Sequence, residues 1–233
     1  MGAAFVRALA AAWLLLVAAP AGAQDNEPRF CPNRPDLGAS GCTTLPGQVQ
    51  VELSGIDWER ADDADEREDT ILYGDLLARF GLDGRTELQL GWAPLVSVRT
   101  RDKASGMIEH RHGVGDVRVA VRRNIANPDG SGLSPGIEPF VVLPTSSNGV
   151  GDGTWSAGVQ VPVSFELNDR WSIGFTGEAS AQADEDRHGR HANVNGVAGL
   201  GYAISDAVSA TVELYAERDD DPADRSTILL TAV

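Results

Sequence analysis

The run Gly158-Val159-Gln160-Val161-Pro162-Val163-Ser164-Phe165-Glu166-Leu167, then Asn168-Asp169-Arg170, then Trp171-Ser172-Ile173-Gly174-Phe175-Thr176, decides the fold. Val159, Val161, Val163, Phe165 and Leu167 alternate with small or polar residues, and after the break Trp171, Ile173 and Phe175 resume the alternation. Period two belongs to strands whose faces meet different surroundings, and the short Asn-Asp-Arg break is a tight hairpin. The same alternation returns at Val49-Val51-Leu53, Leu88-Leu90-Trp92, Val117-Val119-Val121 and Val208-Ala210-Val212-Leu214. With the stretches near 70–80, 136–143, 193–204 and 226–233, about ten strands are expected. At roughly eight to eleven residues each, they are long enough to cross a bilayer when tilted.

The connections separate a barrel from a soluble sandwich. Gly81 to Arg85, Asn168-Asp169-Arg170 and Ser205-Asp206 are tight turns, whereas 59–68, 99–114, 144–153, 182–192 and 217–225 are long and polar. Only the connection 127–135 blurs the rule. Short turns at one end and long loops at the other are the habit of outer-membrane barrels. The fold class expected is all-β: an antiparallel up-and-down transmembrane β-barrel over 47–233. The competing reading is a soluble periplasmic β-sandwich that binds a ligand.

Face chemistry points the same way. Glu52, Glu87, Arg118, Arg122, Glu166, Glu178 and Glu213 share the face opposite the aliphatic residues, and are the lumen-lining candidates. Facing lipid, an Arg would cost about 2–4 kcal/mol at mid-membrane and an acid somewhat less. Trp58, Trp92, Trp155, Trp171 and Tyr202 lie near strand ends, as a thin aromatic girdle would. Pro94, Pro139 and Pro162 each remove a ladder hydrogen bond, so bulges are expected there.

Composition narrows the rest. The chain has 233 residues, 26 of them glycine, and a formal charge of −15, which argues against nucleic acid as a partner. Met1 to Ala23 reads as an export signal: Arg7, an apolar stretch from Ala8 to Ala19, Pro20, and the small-x-small Ala21-Gly22-Ala23. Residues 24–46 then form a periplasmic segment ahead of the barrel. Its two cysteines, Cys31 and Cys42, enclose a turn-rich loop. A local disulfide contributing about 2–3 kcal/mol is the economical assignment. A zinc site there would need two further ligands nearby.

Several short motifs carry a resemblance. They are Cys31-Pro32-Asn33-Arg34-Pro35, Gly41-Cys42 with Pro46-Gly47, Leu77-Ala78-Arg79-Phe80-Gly81-Leu82, and Arg85-Thr86-Glu87-Leu88-Gln89-Leu90-Gly91-Trp92. Gly113-Val114-Gly115-Asp116, Leu143-Pro144-Thr145 with Gly149-Val150-Gly151, and Asp169-Arg170-Trp171-Ser172 follow in order. Together they resemble the outer-membrane β-barrel transporters of the MetA-pathway of phenol degradation family. The resemblance implies about twelve strands and a terminal aromatic residue read by the barrel-assembly machinery. This chain stops instead at Thr231-Ala232-Val233, so by resemblance a last hairpin of roughly forty residues is missing, the alternative being a ten-stranded variant that closes without it.

Other chemistry is thin. His110 and His112, with His188 and His191, fall in loops at one end and are weak candidates for a shared metal site. Asp57 to Asp69 holds eight carboxylates against two arginines, and Glu217 to Asp224 a second cluster, reading as solvated loops or a cation-recruiting mouth. No strand histidine sits beside a serine, and no nucleophile elbow, phosphate loop or dinucleotide fingerprint occurs, so neither an enzyme nor a cofactor is expected. The expected protein sits in the Gram-negative outer membrane, against lipid and lipopolysaccharide. It is a narrow channel for small molecules, and the aromatic cargo comes only from the resemblance. The alternative is a closed structural or adhesive barrel with cation-binding loops.

Overall fold

The computed structural model describes residues 29–34, 36–62, 64–184, 189–205, 208–221 and 226–232. The export signal expected over Met1–Ala23 lies outside the described residues, as does His188. Twelve strands follow in order: β1 (Val49–Asp62), β2 (Glu66–Asp83), β3 (Thr86–Trp92), β4 (Leu95–Asp102), β5 (Ile108–Gly113) and β6 (Val117–Asn124). Then come β7 (Leu133–Leu143), β8 (Ser156–Glu166), β9 (Trp171–Ala183), β10 (Arg190–Ser205), β11 (Val208–Asp219) and β12 (Ser226–Ala232). All pair antiparallel in one 12-stranded sheet. A single sheet has no second sheet to pack on, so the sandwich reading falls.

The twelve strands occupy ten positions across the sheet. β3 pairs with the second half of β2 and β4 with its first half, while β6 lies beyond β3 and β5 beyond β4. Thus β3–β4 and β5–β6 are two of the expected ten strands, each broken midway. Residues 33–44 touch β1, β2, β6, β9 and β11 at once, which requires the sheet to curl around them. The architecture is an up-and-down β-barrel, with no ladder joining β1 to β12 among the described residues.

The break runs across neighbouring strands at one level. Gly55 and Gly74 fall at a skipped rung of the β1–β2 ladder, and Gly74 has φ +68°. Pro94 lies opposite, and Val114-Gly115-Asp116 continues the line, with Gly115 N donating to Ala93 O at 2.8 Å. At this row the pleat turns over: Asp75, Leu77 and Arg79 point inward on one side, Thr70 and Leu72 on the other. The proline expectation holds in part. The β6–β7 ladder skips rungs beside Pro139 and the β7–β8 ladder beside Pro162, but pairing resumes in the same register, so a rung is lost without the extra residue of a bulge.

Strands also run further than alternation suggests. β1 reaches Asp62 and β2 begins at Glu66, so most of the acidic stretch Asp57–Asp69 is paired hairpin and not a loop. Hydrophobic period two marks a strand only where one face is apolar. Beyond that band both faces are polar and the signal vanishes. The carboxylates there are largely matched: Asp62 meets Arg67 at 2.6 Å and Lys103 at 2.5 Å, Asp69 meets Arg60 at 2.6 Å, and Glu68 meets Arg111 at 3.3 Å. A bare acidic mouth is therefore corrected at this hairpin.

The positive φ at Gly74 makes a test. Gly74→Val should cost about 1–3 kcal/mol, the strain of a branched residue in the left-handed region. Gly84→Ala, which meets nothing within 4 Å, should leave the urea midpoint within experimental scatter.

Candidate functional site

The segment expected as a separate periplasmic piece lies, over its described residues 29–34 and 36–46, inside the curl of the sheet. It enters at the short-turn end, where Gly47 N donates to Gly81 O at 2.9 Å and Thr43 N to Pro128 O at 3.0 Å. Cys31 and Cys42 are disulfide-bonded and buried, as the spacing predicted. Two glycines let backbone meet backbone: a Cβ at Gly81 would come 1.9 Å from Leu45 O, and one at Gly41 would come 1.8 Å from Ser134 O.

Barrel side chains hold this plug through its backbone. Arg79 is fully buried and uses all five of its N–H donors. Nε donates to Glu87 Oε1 at 2.9 Å, Nη2 to Glu87 Oε2 at 3.2 Å and Cys42 O at 3.1 Å, and Nη1 to Glu52 Oε1 at 3.2 Å and to Cys31 O. The carboxylates turn their remaining oxygens to plug amides. Glu52 Oε2 accepts from Asn33 N at 2.8 Å and Arg34 N at 3.0 Å, and Glu87 Oε2 from Thr44 N at 2.7 Å. Across the lumen Glu213 accepts from Leu37 N at 2.6 Å and Gly38 N at 3.1 Å, while Thr176 exchanges hydrogen bonds with Ala39.

A second buried cluster adjoins the first. Arg122 Nε donates to Glu138 Oε2 at 2.7 Å and Nη1 to Ser40 O at 2.8 Å, while Arg118 Nη1 donates to Glu138 Oε1 at 2.8 Å. Asn124 Nδ2 donates to Gly41 O at 2.7 Å. So Glu52, Glu87, Arg118, Arg122 and Glu213 are brought together around the plug. Glu178 is half-buried on the same face, accepting from Gln160 at 3.4 Å. Glu166 is not part of the group: it is exposed at the short-turn rim, where Gly132 N approaches at 3.4 Å.

Arg79 and Glu138 are the residues that sequence reasoning missed. Each alternates with apolar neighbours (Ala78 and Phe80, Ile137 and Pro139), so the signal was present in strands read only coarsely. The histidines do not share one site among the described residues. His110 and His112 stack 6.5 Å apart on exposed β5, while His191 sits with Asp184, Asp219 and Asp221 at the start of β10.

The plug leaves room beside it. A cavity of about 480 Å3 lies toward the long-hairpin end, walled by Leu72, Ala93, Val96 and Val150 on one side and by Arg118 and Arg122 on another. Arg122 Nη2 is buried and has no hydrogen-bond partner among the described residues. A cleft of about 130 Å3 separates the plug from the small inner residues of β8–β11, among them Ser172, Gly174 and Gly199.

One sheet curled around its own N-terminal segment, charged within and aliphatic without, defines a plugged antiparallel β-barrel. The chain belongs to the family described as "Putative MetA-pathway of phenol degradation", whose model matches residues 32–228 and so includes most of the plug. No curated protein matches the chain.

The Arg79 fork predicts its own energetics. Arg79→Ala strands two buried carboxylates and should lower unfolding stability by about 3–5 kcal/mol. Arg79→Lys keeps the charge but cannot reproduce the planar fork, and should recover only part of this. Limited proteolysis should cut residues 29–46 in both variants before it cuts the barrel.

Proposed function

We propose that this chain is an outer-membrane barrel that passes small, largely apolar molecules through a narrow lumen occupied by its own N-terminal segment, without catalysing a reaction. The observation that carries the reading is an inversion of burial. The largest fully buried side chains are Arg79, Arg122, Gln89, Glu87 and Glu138, whereas Val51, Leu53, Val161, Phe175, Val194 and Leu214 stand exposed. Water would favour the opposite arrangement, and large contiguous apolar surfaces are rare on soluble monomers. A bilayer around the barrel removes the conflict.

Dimensions support the same reading. Trp171 and Tyr202 pack with ring centroids 4.6 Å apart at the short-turn end, and Trp155 carries Arg190 on its ring face at 3.7 Å near the other. Tyr202 lies twelve positions after Arg190 along β10, about 40 Å of strand. At a 45° tilt that is a height of roughly 28 Å, close to an apolar band of about 25 Å.

The cargo follows from the cavity. An aliphatic wall with the guanidinium side chains of Arg118 and Arg122 in the same lining suits a small apolar body with a single acceptor or anionic group. An aromatic acid or phenol has that form, in keeping with the family's description. The assembly machinery and outer-membrane lipid, including lipopolysaccharide, are the partners this location entails.

Planar-bilayer recording tests the reading. The intact chain should show small, infrequent steps, and deletion of residues 31–44 should enlarge them. Equal conductance from both removes the plug from the path, and failure of either to insert removes the membrane location. Independently, Val161→Arg on the outward face should cost about 2–4 kcal/mol in lipid, where a water-exposed site would register almost nothing.

A further inference from the structure

At the long-hairpin end, inside the barrel mouth, one imidazole is ringed by three carboxylates. His191 Nδ1 lies 3.1 Å from Asp184 Oδ1 and 3.4 Å from Asp221 Oδ2, and His191 Nε2 lies 3.0 Å from Asp219 Oδ1. The His191 side chain is 6% exposed, and those of Asp184, Asp219 and Asp221 are 18%, 20% and 10% exposed. Nε2 is buried and makes no aligned hydrogen bond, despite its closeness to Asp219.

We propose that Asp184, His191 and Asp221 form a binding site for one divalent transition-metal ion of the zinc type. Their ligand atoms all lie within 4.8 Å of one another. Donors about 2.1 Å from a shared ion stand roughly 3.0–3.5 Å apart, so small movements complete the set. Asp219 is placed as the outer partner: its Oδ1 lies 3.0 Å from Nε2, and a small turn of the ring on metal binding would align the Nε2 proton with it and leave the Nδ1 lone pair for the metal. One nitrogen and two carboxylate donors suit zinc or manganese better than calcium, which prefers more oxygens.

Three separate parts of the chain build the site. Asp184 follows β9, where a Cβ on Gly189 would stand 2.0 Å from its Oδ2, so glycine in the turn admits the carboxylate. His191 opens β10 on the inward face, two residues before Asn193, which donates to Asp219 at 3.0 Å. Asp221 follows β11, its amide donating to Asp219 Oδ1 at 2.8 Å. A bound ion would tie the β9–β10 hairpin to the chain leaving β11. The site stands apart from the plug and does not depend on the lumen conducting.

The test is equilibrium dialysis of the folded chain in detergent against zinc chloride after chelator treatment, with elemental analysis of the retained metal. One zinc per chain is expected. It should be lost in His191→Ala and in Asp221→Asn, kept in the His110→Ala/His112→Ala double variant, and weakened about 10- to 100-fold in Asp219→Asn. No zinc retained, zinc surviving Asp221→Asn, or zinc lost with His110 and His112 each overturns the site. If His191→Ala does not fold, Asp221→Asn decides the question. Calcium retained in place of zinc also overturns it.

Discussion

The buried guanidinium of Arg79 is the contact on which the interior depends. Its five donors reach two carboxylates of the wall and the carbonyls of both half-cystines, so one side chain joins β1, β2, β3 and the plug. Two buried carboxylates are tolerable only beside a cation this well matched, and a plug backbone turned toward the wall needs acceptors for its amides. Each requirement meets the other. Glu52 and Glu87 spend some lone pairs on Arg79 and the rest on plug N–H groups, so removing the cation would loosen the segment and leave its anchors uncompensated. The disulfide complements this by keeping the two carbonyls close together.

A second constraint is the line of irregular residues through Gly74, Pro94 and Val114-Gly115-Asp116. Gly74, with φ +68°, interrupts the regular alternation at this row, so the inward and outward sets exchange although the pairing register is kept. Below the line the inward set is charged and grips the plug. Above it the inward set includes Leu72, Val96 and Val98, the last two nearly fully buried. The loop from Leu143 to Gly151 packs onto the line, with Ser146 N donating to Asp116 Oδ1 at 2.7 Å and Val114 N to Ser147 Oγ at 3.1 Å. The two characters of the cavity, a charged floor and an aliphatic wall, follow from a backbone irregularity and not from a change in strand composition.

How much was legible varies with the range of the signal. Ten antiparallel positions and the face assignment of Glu52, Glu87, Arg118, Arg122 and Glu213 follow from alternation, a property of neighbouring residues. Glu166 has the same local pattern yet stands at the rim, since alternation reports the face and not the height along the strand. The acidic stretch around Asp62 looked like a loop because a hairpin polar on both faces carries no apolar rhythm. Asp184, His191 and Asp221 meet only because β9, β10 and β11 lie side by side.

The sequence by itself determined the strand-and-turn order, the two-faced chemistry of each strand and the Cys31–Cys42 pairing, because all three are encoded within a few residues of one another. Only the tertiary structure decided that residues 29–46 lie inside the barrel, that Arg79 and Glu138 organise its interior, and which carboxylates face which cations. Those outcomes rest on contacts such as Leu37 with Glu213 and Gly41 with Asn124, between segments far apart in the chain. No local pattern records them, because curling the sheet is what brings the partners within reach.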